Sequence, residues 1–173
     1  MRNVNLDSAQ RSLFEYWRLR SGRNPYPARK DIRPEDIPGV LRHLGQIDVV
    51  RRGNDLRFKY RTVSNQMRFI FGADYGGKWL HQSKHGTYQA YLHNLYSESA
   101  TQARPVYARS SFAYQGDRHL DVKRLILPLS DNGGDIDMLL FSNLFSSDDH
   151  DFGFRPYLAE DIIDFVESVR EAA

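Results

Sequence analysis

A chain of 173 residues, 40% hydrophobic and 27% charged, has the make-up of one globular domain with a sizeable core. It contains no cysteine, which excludes disulfides, thiolate metal sites and a cysteine nucleophile. Its 24 basic residues against 22 acidic ones give a formal charge of only +2, not the concentrated basic balance of a dedicated nucleic-acid binder.

The opening MRNVNLDSAQRS has no apolar signal core, and no later window is long and apolar enough to span a bilayer. A cytoplasmic protein without a membrane or nucleic-acid partner is therefore expected. Leu6 to Gly22 reads as a helix: Asp7 or Ser8 caps it, Leu13, Phe14 and Trp17 form an apolar stripe, and Gly22 closes it. The stretch PARKDIRPEDIPGVLRHLGQIDVV, Pro27 to Val50, follows. Pro25 and Pro27 enforce extended backbone, Pro34 suits the first position of a short helical turn, and Pro38 ends it. Ile32, Ile37, Val40, Leu41 and Leu44 supply regular apolar anchors that a disordered linker would lack, so the stretch is expected to be ordered.

Ile47 to Val50 and Leu56 to Val63 then form a hairpin turned at Gly53, Asn54 and Asp55. Arg57, Lys59 and Arg61 alternate with Leu56, Phe58 and Tyr60, the pattern of a half-buried strand with a solvated basic face. From Ser64 the spacing becomes helical through Met67, Ile70 and Phe71, and Gly72 stops it. ADYGGKWLHQS is a loop, and TYQAYLHNLYSESATQ is a long helix with Tyr88, Tyr91, Leu92 and Leu95 on one side. Three strands follow: Arg104 to Tyr114, His119 to Leu129 and Ile136 to Phe145, the last two joined by the hairpin turn Asp131-Asn132-Gly133-Gly134. After the loop SSDDHDFG, PYLAEDIIDFVESVREAA reads as a final amphipathic helix through Leu158, Ile162, Phe165, Val166 and Val169.

This order predicts an α+β fold: a five-stranded antiparallel sheet with helices on one face and a flanking helix at each end. Residues 1–44 form a helix and proline-rich connection packed on a core of residues 45–147, and 148–173 supply the C-terminal helix.

The order of elements resembles a PAS domain. VSNQMRFIFGADYGGKWL is similar to the PAS passage from second strand into helix, with Phe71-Gly72 and then Gly77-Lys78-x-Leu80. More narrowly, the chain resembles the stand-alone bacterial PAS-like family, the fifth PAS variant. The likeness rests on the Leu-Phe-x-Tyr-Trp helix, Leu13 to Trp17; on Gly22-Arg23 and the prolines nearby; and on Asp31-Ile32-x-Pro34-x-Asp36-Ile37-Pro38 with the Leu-rich stretch to Leu44. Phe58-x-Tyr60-Arg61-x-Val63 and Arg124-Leu125-Ile126-Leu127-Pro128-Leu129-Ser130 extend it, so that it spans Leu13 to Phe145. Where that family has Gly-Thr after the second strand, this chain has Ser64-Asn65, and the C-terminal helix lies outside the resemblance. The resemblance implies a sensory or regulatory module without intrinsic catalysis. Such modules hold a small ligand between sheet and helices, or pair through flanking helices. No kinase, cyclase or DNA-binding segment is attached, so output is expected in trans through a regulatory protein partner.

No Gly-x-Ser-x-Gly, P-loop or dinucleotide fingerprint is present, and Gly72, Gly76 and Gly77 are turn residues, so the chain is not expected to be an enzyme. His81 and His85 have helical spacing but no carboxylate beside them, and Asp148 to Asp151 lack the spacing of a calcium loop, so no metal is expected. A flavin-type PAS needs a pocket cysteine, which is missing. His93 on the long helix is the one candidate axial ligand for haem, yet the stripe Tyr88, Tyr91, Leu92, Leu95 sets it toward water, so haem is not expected. The candidate pocket walls are Phe58, Tyr60, Phe69, Trp79, Tyr88, Tyr91, Leu92, Met138 and Leu140, with Arg61 and Arg124 available to an anionic group. Such a site suits a small organic ligand; a filled aromatic core is the competing reading. Leu13, Phe14 and Trp17 either cover the sheet or pair with a second copy, and a homodimer is expected. The alternative to a regulatory module is a small enzyme or carrier using the same pocket for an aromatic or lipid-like substrate.

Overall fold

The computed structural model describes residues 6–83, 86–114, 118–147 and 162–172. Helix α1 (Ser8–Ser21) begins where the Asp7 carboxylate accepts a hydrogen bond from the Ala9 N–H, and it ends at Gly22 with φ at +59°. Strands β1 (Leu44–Arg52) and β2 (Asp55–Thr62) form the expected hairpin. Three helices cross over: α2 (Asn65–Phe71), capped by the Ser64 hydroxyl, α3 (Leu80–Ser83) and α4 (Gly86–Gln102). The meander β3 (Val106–Tyr114), β4 (Arg118–Leu129) and β5 (Met138–Ser147) then returns β5 alongside β1. All pairings are antiparallel, and the strand order is β2-β1-β5-β4-β3 with one further strand, β6 (Ile162–Ala172), beside β3.

The five-stranded antiparallel sheet matches the expectation, but the C-terminal segment does not. Residues 162–172 are a strand and not a helix. Their apolar residues have helical spacing, yet Ile162, Ile163, Val166 and Val169 are β-branched and equally suited to a strand. β3 would otherwise present an open edge of unpaired amide groups, and β6 satisfies it from Val106 to Tyr114. The remainder of that segment, 148–161, lies outside the described residues.

Both faces of the sheet are covered. One, through Ile47, Val49, Phe58, Tyr60, Val122, Ile126 and Phe141, packs on α2 to α4. The other, through Tyr107, Leu125, Leu127, Leu129, Met138 and Leu140, packs on α1 and the proline-rich stretch. That stretch forms three short 3-10 turns, Arg29–Asp31, Pro34–Asp36 and Pro38–His43, and it buries Ile32, Ile37 and Val40. Together with α1 it meets β4 where β3 stops. Past the Val106–Ile126 pair, β4 has no β3 neighbour; there the Trp17 indole N–H donates to the Pro128 carbonyl at 2.9 Å, and the Ser130 N–H donates to the Pro27 carbonyl at 3.1 Å. Pro128 is tolerated in β4 because that side of the strand carries no ladder.

Gly45 on β1 stands directly opposite Phe141 on β5. A Cβ at this position would lie 2.2 Å from the Phe141 Cζ, and the ring is fully buried. Gly45→Ala is therefore expected to cost about 1–3 kcal/mol through overpacking, read as a lower urea midpoint with an unchanged slope.

Candidate functional site

α4 presents residues at helical spacing to the sheet: Tyr88, Tyr91, Leu92, Leu95, Tyr96, Ser99 and Ala100 are all buried. Beneath them β4 alternates Val122, Arg124 and Ile126 toward the helix, and β3 brings Ser110 opposite Val122 on the same face. The result is a buried guanidinium in a wall of rings. Arg124 is 1% exposed. Its Nη2 donates to the Tyr88 hydroxyl at 2.8 Å, its Nη1 donates to the Ser110 hydroxyl, and its Cζ lies 5.6 Å and 5.7 Å from the ring centroids of Tyr88 and Tyr91. Those ring faces attract the cation, an effect worth about 2 kcal/mol when water is excluded.

The electrostatics fix the charge states. Burial works against the charged form of Arg124, but the surrounding tyrosines, Tyr88 foremost, more than offset it and hold its pKa above the ordinary arginine value. Burial pushes the phenols of Tyr60 and Tyr96 up, Tyr60 well above the usual tyrosine range. At neutral pH Arg124 is therefore a permanent cation beside the neutral hydroxyls of Tyr60 and Tyr96. A guanidinium in this setting can pair with an anionic group, and a permanent cation has no proton to give up at neutral pH.

Of the residues expected to line a pocket, Phe58, Tyr60, Tyr88, Tyr91, Leu92 and Arg124 come together here. Others do not. Arg61 points outward and pairs with Asp48 at 2.7 Å, because β2 turns Phe58 and Tyr60 inward and so must turn Arg61 out. Met138 and Leu140 lie on the opposite face under α1, as the parity of β5 dictates once Leu139 and Phe141 face α4. Phe69 is 59% exposed, since α2 buries Met67, Ile70 and Phe71 instead. Trp79 is half-buried outside the cage, with Lys59 Nζ 5.7 Å from its ring centroid. The backbone beside it closes the outer edge of β2, where the Tyr60 N–H donates to the Lys78 carbonyl.

His93 is turned to the edge of β2. Its Nε2–H donates to the Leu56 carbonyl at 3.0 Å and its ring meets Phe58 edge-on, which leaves that nitrogen committed and not aimed at a haem. Leu13 and Trp17 are buried within their own chain, at 0% and 6% exposure, so they cover the sheet and are not available as dimer contacts. Only Phe14 of that trio is half-buried, stacked on Trp17. Among the described residues no three His, Asp or Glu side chains gather as a metal site, and no helix is long and apolar enough to cross a membrane. His85 and the acidic loop at Asp148 lie outside the described residues.

Sequence reasoning missed two contributors, Ser110 and Tyr96. Ser110 is legible in principle: it shares strand parity with Val106 and Ala108, which face the same helix. Tyr96 is equally legible, since it continues the row of Tyr88 and Leu92 along one face of α4.

The family model described as a PAS domain, the fifth of that name, matches residues 6–142, from the start of α1 into β5. The match takes in the proline-rich stretch and leaves β6 outside. Comparison with curated proteins and with solved structures returned no match in either case. With most of its length matched, the chain belongs to the PAS domain family.

Proposed function

We propose that the protein is a regulatory PAS module that takes up a small organic anion at the Arg124 cage and signals its occupancy to a partner protein in trans. Membership of the PAS family suggests a sensory or regulatory role in general; the anion is our extension. The observation that carries it is the buried guanidinium held by Tyr88 and Ser110. Taking such a charge out of water costs roughly several kcal/mol, and stability alone is better served by an apolar side chain of similar volume. A fork of donors backed by neutral phenols is, by contrast, well matched to a carboxylate or phosphate.

The test is a thermal-shift series with small carboxylic acids and phosphates, each paired with its neutral amide or alcohol. A binding acid should raise the melting temperature in a dose-dependent way, equivalent to about 2.7 kcal/mol at a hundredfold excess over its Kd. Equal shifts for an acid and its neutral counterpart, or none across the series, would sink the reading. A mass spectrum of the organic extract from purified protein gives the complementary readout of a co-purifying acid.

A further inference from the structure

We infer that the groove between α1, α2 and the far end of β5 is a docking surface for an acidic segment of another protein that carries an apolar side chain. This rests on the regulatory reading only in that a partner in trans is required. The groove encloses about 910 Å³, with Leu144 and Phe145 of β5 and Phe69 of α2 as its apolar lining. Phe69 has more than half of its surface in water, whereas its neighbours Met67, Ile70 and Phe71 are buried. An exposed ring beside a concave surface is an anchor point of the kind that dominates binding energy at interfaces.

The charges around this lining choose the partner. Arg42 and Lys123 both line the groove, and neither enters an ion pair among the described residues. Arg42 spends its Nε on His43, whose other ring nitrogen donates to the Gln66 amide oxygen, so this part of the rim is held in place. The one carboxylate in the lining, Asp7, is occupied in capping α1. Two cations without counter-ions among the described residues, set around an apolar floor, complement glutamates or aspartates flanking a leucine or aromatic residue.

A phage-displayed random peptide library is the probe. On the wild-type protein, selection should enrich peptides with acidic residues on both sides of a large apolar one. The best of these should lose at least about tenfold in affinity on Phe69→Ala, and more on Arg42→Glu with Lys123→Glu, and it should weaken with added salt. Arg42→Gln with Lys123→Gln guards against misfolding of the charge-reversed form and should give an intermediate loss. These variants should leave the anion-induced thermal shift at Arg124 unchanged, which separates failure of this proposal from failure of the other. Enrichment of neutral or basic peptides, affinities untouched by the variants, or sedimentation showing the groove covered by a second copy would each overturn it.

Discussion

Arg124→Ala is expected to lower stability by about 3–5 kcal/mol, because it strands the Tyr88 and Ser110 hydroxyls and opens a void under α4. For a chain of this size that corresponds to a fall of about 10 °C in melting temperature. Arg124→Met is expected to behave differently. Methionine strands the same two hydroxyls but fills much of the space, rests on the same rings and carries no charge to desolvate, so it should cost only about 1–2 kcal/mol while anion binding is lost. The pair of variants decides what the guanidinium is for. Should Met cost as much as Ala, the charge is a structural pin between helix and sheet, and the ligand reading falls with it.

Trp17→Ala is expected to cost a similar amount, about 3–5 kcal/mol, by a different route. Trp17 is the largest side chain of α1 on the outer sheet face, and its N–H is the partner of the Pro128 carbonyl. Alanine removes both the packing and the hydrogen bond; Trp17→Phe removes chiefly the bond and should cost about 1–2 kcal/mol. Equilibrium urea unfolding measures both. A loss below about 1 kcal/mol for the alanine variant would mean that α1 is a peripheral appendage instead of the second wall of the core.

What is legible in the sequence follows from how each element is buried. β2 has one wet face, so its alternation alone turns Phe58 and Tyr60 inward, and by the same count Arg61 outward. β4 and β5 are apolar on both faces between Leu125 and Leu129 and between Met138 and Phe141. Such strands carry no parity signal, which is why the pattern places Met138 and Leu140 on the wrong side. Only the position of α1, a contact between distant parts of the chain, tells the two faces apart. The proline-rich stretch is readable as ordered because Ile32, Ile37 and Val40 anchor it. The C-terminal strand is not, since what selects strand over helix there is the open edge of β3 and not the local pattern.

The seam between the proline-rich stretch and β4 also bears on the order in which the chain folds. Trp17 meets Pro128 across 111 positions of sequence, and Arg29 meets Asp131 across 102. Contacts of such high contact order are made only after a large loop has closed, which is entropically slow. On a ribosome α1 and the connection after it emerge before the sheet, and they have nothing to rest on until β4 and β5 have been made. The elements synthesised first are thus among the last to dock, and the apolar stripe of α1 waits exposed while the domain is being completed.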